Sequence, residues 1–222
     1  MNNDWPSFLD RLVHDLKEPL RMVQTSAELL QEEAKHPGPE RDRMLREIVD
    51  SSTRLGAVID GLSRYSLALE ERTEPGESSL KLALDVALAG LDDEIRASGA
   101  TITADKLPNV LLRLERSAQI FENIIGNSLR FRSDAPPVVD VHARQGEAGF
   151  WLITIEDNGI GLEPADCEII FRPLMRIHGR KYLGPGFGLA ICRAIIERHH
   201  GKIWMEPRPS GGAICSFTLP AA

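Results

Sequence analysis

One histidine, two asparagines, two aspartates and two glycine-rich turns are the residues of this chain from which chemistry could be built. His14 stands in the run His14-Asp15-Leu16-Lys17-Glu18-Pro19-Leu20. An imidazole nitrogen can attack phosphorus, and the neighbouring carboxylate of Asp15 can accept the ring proton or hold the ring while the other nitrogen reacts. Asn123 and Asn127, one helical turn apart, offer neutral oxygens of the kind a hard cation such as magnesium accepts. They lie mid-helix among apolar residues, where unsatisfied amides are costly. Asp157 opens the turn Asp157-Asn158-Gly159-Ile160-Gly161, whose glycines let backbone come close to a ligand. Gly184-Pro185-Gly186-Phe187-Gly188-Leu189 runs straight into a helix whose free amides suit phosphate oxygens. Taken singly each feature has a plainer reading: an exposed histidine is usually just solvated, Asp-Asn-Gly usually just turns the chain, and spaced glycines also make ordinary loops. Their order and separation along one chain give the combination its weight.

Two kinds of scaffold are needed to hold these groups. In the first third, Leu9, Val13, Leu16, Leu20, Val23, Ala27 and Leu30 recur alternately four and three apart, the seam of a long helix lying against a partner. Asp4 can cap its start, with Pro6 tolerated in the first turn. His36-Pro37-Gly38-Pro39 breaks that helix, and Leu45, Ile48, Ser52, Leu55, Ile59, Leu62, Ser66 and Leu69 form a second seam, so the segment folds back as an antiparallel hairpin. Two helices cannot enclose a core, and pairing two hairpins in a homodimer gives a four-helix bundle. His14 follows Val13 by about 100° around the helix, on a charged face with Asp10, Lys17, Glu18 and Arg21. Pro19 lacks the amide that would bond the carbonyl of Asp15, so the helix should loosen one turn beyond the histidine.

From Glu70 to Ser79 the pattern lapses into charged and turn-forming residues, which reads as a linker and a hinge. The expected organisation is therefore a helical hairpin over 1–70, a linker over 71–79 and a second domain over 80–222. That second part predicts a helix from Leu80 to Ala97, strands at Thr101–Ala104 and Val110–Leu114, and a helix from Ser117 to Phe131. Strands at Val138–Arg144 and Phe150–Glu156 follow, then a helix from Gly188 to His199 and strands at Lys202–Glu206 and Ala213–Leu219. Strands with helices on one face make an α+β sandwich.

With 222 residues, 42% of them apolar, the chain can bury one large core or two small ones, and its net charge of -7 argues against nucleic acid or an anionic membrane as main partner. Cys167, Cys192 and Cys215 have no metal-ligand spacing and form an odd set, as a reducing compartment permits, so a cytoplasmic location is expected. No apolar run approaches the roughly 18 residues of a membrane span, and the start lacks the regions of a signal peptide. Only a short segment precedes His14, so a separate sensory domain or an upstream sensor protein is expected to supply the input.

The run from His14 to Leu20 resembles the phosphoacceptor box of sensor histidine kinases of two-component systems, and the resemblance extends along the whole chain. Residues Gln119 to Phe131 resemble the asparagine box, Glu156 to Leu162 the first glycine box, Ile170 to His178 the phenylalanine box, and Gly184 to Leu189 with the helix beyond the second glycine box. The segment between Phe171 and Gly184, with Arg176, His178 and Tyr182, is most like the phytochrome-related subgroup. The resemblance implies a histidine-bearing hairpin that dimerises as a four-helix bundle, joined to a Bergerat-type α/β sandwich that binds ATP and Mg2+. It makes His14 the phosphate acceptor with Asp15 as base or orienter, Asn127 the metal ligand, Asn123 a supporting one, and Arg130 a phosphate contact. It implies that Asp157 accepts the adenine amino group beside Gly159 and Gly161, and that Gly184, Gly186, Gly188 and Leu189 hold the phosphates. Arg176 matches the phenylalanine box, in a lid whose other charges are Arg172, Arg180 and Lys181; such charges can face a leaving phosphate. A receiver aspartate of a response regulator is the implied final acceptor, docking near His14.

Three positions depart from the family pattern. Leu112-Arg113 stands where Gly-Asp is frequent, with no nucleotide ligand lost. Glu18 stands where many relatives have Thr or Asn, the type that orients water in the reverse reaction, which counts against dephosphorylation of a regulator. Pro185 replaces a small hydroxyl residue and removes an amide near the phosphates, predicting weaker nucleotide affinity. A phosphotransfer-silent ATP-binding scaffold and an ATP-hydrolysing relative with the hairpin as a dimer clamp are the alternatives.

Overall fold

The computed structural model describes residues 5–33, 40–70, 76–147, 149–177 and 184–222. The chain divides into two compact units, one of Met1–Arg64 with Leu183–Gly186, the other of Tyr65–Tyr182 with Phe187–Ala222. Asp4 and the His36 to Pro39 break lie outside the described residues, as do residues 71–75 of the expected linker and, in the lid, His178, Arg180, Lys181 and Tyr182.

The apolar heptads form two long helices, α1 (Trp5–Glu33) and α2 (Glu40–Glu70), the residues of α2 beyond Arg64 counting with the second unit. Helix α1 runs through Pro19 without a break. The side chain of Ser26 on α1 donates to Glu47 on α2 at 3.2 Å. Among the described side chains of the first unit the buried residues are Phe8, Pro19 and Ser26 on α1 and Gly61 with Met44, Ser51 and Val58, the last three one heptad apart, on α2. The expected seams sit beside that line: Val13 and Leu20 are each 45% exposed, Leu45 43% and Ile59 49%. Within one chain the hairpin thus buries a narrow stripe of mostly small or flexible residues and leaves large aliphatic ones uncovered. No described helix is long and apolar enough to cross a membrane.

The second unit is an α/β sandwich. A two-residue strand β1 (Ser78–Ser79) pairs antiparallel with β3 (Asn109–Val110). Strands β2 (Thr101–Ala104), β4 (Val138–Gln145), β5 (Phe150–Asp157), β7 (Ala213–Pro220) and β6 (Ile203–Pro207) form a five-stranded sheet in the order β2-β4-β5-β7-β6. Strand β2 is parallel to β4 and the other neighbours are antiparallel. Helices α3 (Leu80–Gly90), α4 (Asp92–Ser98), α5 (Leu114–Arg130) and α6 (Gly188–Arg198) complete it.

Alternation along the strands decides where the core lies. Val139, Val141, Ile153, Ile155, Cys215, Phe217 and Leu219 are buried on the helix side of the sheet. They meet Ile120, Phe121, Ile124 and Ile125, spaced as one stripe of α5, and the Phe121 and Phe217 rings meet edge-on with centroids 6.4 Å apart. Each such side chain contributes roughly 1.5–3 kcal/mol of burial. Asn123 and Asn127 lie on the flank of that stripe, half-buried.

Two expected elements come out differently. The helix expected from Leu80 to Ala97 is broken at Leu91 (φ -105°, ψ 9°), where Gly90 ends α3 and Asp92, Asp93 and Glu94 fill the first turn of α4, a favourable place for negative charge. The strand expected to reach Leu114 stops at Val110, because the chain bends at Leu111 and Leu112 and extended Arg113 starts α5, its carbonyl accepting from Arg116 and Ser117.

Candidate active site

Strand β5 ends by delivering Asp157 into a set of donors that fixes its carboxylate. One oxygen, Oδ1, accepts from the amides of Gly159 at 2.9 Å and Ala213 at 3.1 Å. The other, Oδ2, accepts from the hydroxyl of Ser128 on α5 at 3.0 Å. Hydrogen bonds to a charged acceptor are the stronger kind, so the group is oriented before any ligand arrives. The amide of Ile160 donates to the carbonyl of Phe131 at 3.0 Å, a second tie between the glycine turn and the end of α5.

Around this carboxylate glycine is required at two places for lack of room. A Cβ at Gly159 would lie 2.5 Å from the carbonyl oxygen of Phe131. One at Gly212, where φ is 98°, would lie 1.9 Å from the carbonyl oxygen of Asp157. The β6–β7 turn therefore passes directly over the end of β5, and Arg208 at its start pairs with Glu156 at 3.2 Å and donates to the Asp157 carbonyl at 3.4 Å.

Helix α6 brings Gly188, the last glycine of the second glycine-rich turn, to the asparagine helix, while Gly184 and Gly186 count with the first unit. A Cβ on Gly188, the first residue of α6, would stand 3.0 Å from Oδ1 of Asn123. Further along, Cys192 is completely buried and its Sγ lies 3.9 Å from the carbonyl of Ile120. Burial pushes its thiol up to about 12, and the contact with the Asn123 amide pulls it only partly back. Leu189 is half-buried, and Gly184 and Gly186 take φ values of 141° and 78°, which glycine alone tolerates readily. Gly161 has φ 76°, and a Cβ there would lie 3.1 Å from the carbonyl oxygen of Gly212.

Asp157, Gly159, Gly161, Asn123, Asn127 and Gly188 all belong to the second unit, joined by α5, the β5 turn and α6. Arg130, in the last turn of α5, and Arg176, beyond a single 3-10 turn (Ile169–Phe171), are exposed. His14 and Asp15 stand on α1 in the first unit. The His14 side chain is 71% exposed, with Nδ1 3.3 Å from Oδ1 of Asp15.

Ser128, Gly212 and Arg208 escape the sequence reading. Ser128 carries a signal, a hydroxyl on the buried stripe of a helix directly after Asn127; Gly212 carries another, the pair Gly211-Gly212 between two strands. Neither signal names the carboxylate they serve.

Among the described residues no group of three or more His, Cys, Asp or Glu side chains could hold a metal ion by itself. A cation here would need Asn oxygens and oxygens of its ligand, which suits magnesium and not zinc.

Residues 7–69 match the His Kinase A (phospho-acceptor) domain and residues 112–222 the histidine kinase-, DNA gyrase B-, and HSP90-like ATPase family. Cyanobacterial phytochrome A of Nostoc sp. is 35% identical over 209 residues, which are 93% of this chain and 27% of that protein. Phytochrome-like protein Cph1 of Synechocystis sp. is 32% identical over 225 residues, 99% of this chain and 29% of that protein. The chain thus spans less than a third of the length of these relatives. Histidine kinase ThkA, solved in complex with the response regulator protein TrrA, superposes with a TM-score of 0.74 at 20% identity, covering 99% of this chain and 62% of that one. Acinetobacter baumannii histidine kinase AdeS gives 0.69 at 18% identity, covering 93% and 97%. At these identities the two structures share the fold.

Proposed function

The chain belongs to the sensor histidine kinases, on the phytochrome-related side, and from that premise we propose that it transfers the γ-phosphoryl group of ATP to His14 and onward to an aspartate of a response regulator. The observation that carries the reading is the Asp157 carboxylate, held by three donors at the mouth of the first glycine turn while His14 stands exposed on a helix. A carboxylate locked in this way is prepared to accept the adenine amino group. Gly159 and Gly161 let the base approach, and Gly184, Gly186, Gly188 and Leu189 receive the phosphates at the start of α6. Arg130 and Arg176 meet phosphate charge.

Asn127, with Asn123 beside it, would hold magnesium, which when bound neutralises triphosphate charge. At His14 the Asp15 carboxylate keeps the proton on Nδ1, leaving Nε2 to attack. A new N–P bond forms, the bond from the γ-phosphorus to its bridging oxygen breaks, and ADP leaves. Bringing the two sites together requires motion about a linker at 71–79, between a hairpin at 1–70 and an ATP-binding domain at 80–222. The uncovered aliphatic residues of the hairpin support a homodimeric four-helix bundle, and its charged face near His14 supports docking of a receiver domain. The location is cytoplasmic, with input from a sensory domain or sensor protein.

Incubation with γ-labelled ATP and Mg2+ tests the reading. The protein should take up acid-labile, base-stable label, His14→Gln should take up none, and a cognate receiver should remove it. No uptake despite ATP binding means a scaffold, and sustained phosphate release with no labelled protein means an ATPase.

A further inference from the structure

Arg193 lies in the middle of α6 and meets both an aromatic ring and a carboxylate. Its guanidinium carbon sits 4.3 Å from the ring centroid of Phe171. Nη1 and Nη2 donate to the two carboxylate oxygens of Glu168 at 2.8 and 3.1 Å, a bidentate fork. Nε is buried and finds no acceptor among the described residues, Glu197 standing 3.7 Å from it. That hydrogen-bonded fork holds the Glu168 carboxyl below the usual carboxylate range.

The contacts fall at a place where the chain needs holding. Phe171, 2% exposed, closes the 3-10 turn, and Leu174 three residues on is 5% exposed with φ at 63°, a left-handed conformation unfavourable for leucine. Leu174 is thus the buried, strained point between the exposed Arg172 and Arg176. Arg193 is also five residues from Gly188, about 7.5 Å along the same helix. One helix thus carries the proposed phosphate site at its start and the anchor of the basic segment in its middle.

We propose that Arg193 is a positioning residue: its fork on Glu168 and its stacking on Phe171 set where Arg172 and Arg176 stand relative to the first turn of α6, and hence how firmly the terminal phosphate is held. This rests on the nucleotide reading above, but half of its test does not.

Hydrogen exchange of residues 169–177 should be measured without nucleotide in wild type, Arg193→Lys, Arg193→Ala and Glu168→Gln, followed by titration with Mg2+-AMPPNP and Mg2+-ADP. Arg193→Ala should speed exchange of 169–177 at least roughly tenfold, leave β5 and β7 unchanged, and weaken AMPPNP about tenfold while ADP moves less than about twofold. Arg193→Lys, which keeps charge but loses fork and stacking, should resemble Arg193→Ala, and Glu168→Gln should fall between. Unchanged exchange at 169–177 overturns the clamp. So do equal losses for ADP and AMPPNP, or loss of protection in β5 and β7, which mark a merely structural role. Failure of wild type to bind either nucleotide removes the nucleotide reading, while the exchange result still decides whether the clamp exists.

Discussion

Three donors on one carboxylate make Asp157 the residue whose replacement is most informative. Asp157→Asn keeps the shape and an oxygen for the Gly159 and Ala213 amides but removes the charge, so the fold should survive and ATP affinity should drop roughly 10- to 100-fold by calorimetry. Ser128→Ala deletes one donor and should cost about 1 kcal/mol of stability with a smaller loss of affinity. Asp157 is legible in the sequence as the polar end of an apolar strand; Ser128 is not, because its partner depends on how α5 is rotated over β5. Cys192 makes a prediction of the opposite kind. Burial raises its pKa from 9.0 to about 12, so the unfolded chain releases that proton first as pH rises. The contribution of Cys192 is fully present below about pH 9 and is lost as pH climbs toward 12; burial raises the Cys215 pKa as well, so its contribution is lost in the same alkaline direction. Denaturant midpoints should fall across that window, and less steeply for Cys192→Ala after normalising to its midpoint at pH 7.

At the scale of elements, periodicity located the helices and strands well and their joints poorly. Helix α5 and strands β4, β5 and β7 are long, patterned segments, and the expected bounds lie within a few residues of the observed ones. Periodicity hides the break between α3 and α4 because Leu91 continues the apolar rhythm, while Gly90 and three acidic residues end one helix and start another. The strand patterns on either side of the β6–β7 turn carry no sign that Gly212 lies against the Asp157 carbonyl. Gly212→Ala puts a Cβ where no atom fits at a φ that disfavours it, and should cost about 2–4 kcal/mol with a matching loss of nucleotide affinity. Gly90→Ala, with nothing within 4 Å of the added carbon, should instead be neutral or stabilise by up to about 1 kcal/mol. Thermal melting of both variants separates the two kinds of glycine.

For the whole molecule, the hairpin seams matter most. The heptads announce that aliphatic side chains line a helical interface but not which face meets the second helix of the same chain; in the structure Met44, Ser51 and Val58 take that inner position, while Leu20, Leu45 and Ile59 remain outside. Leu20→Asp combined with Ile59→Asp should halve the mass seen by light scattering and leave the α/β sandwich folded. An undiminished mass would place the dimer contact elsewhere or remove it. The sequence also puts His14 and the two glycine-rich turns into one chain without saying how the proposed acceptor would reach the proposed nucleotide site, because periodicity describes each element and not the relation between domains. The most direct check is tandem mass spectrometry of the protein after brief incubation with ATP and Mg2+, under alkaline handling that preserves phosphoramidates. A single phosphate on the ring of His14, absent from Asn127→Ala, is the expected result; phosphate on any other residue, or an unmodified His14 in protein that demonstrably binds ATP, would contradict it.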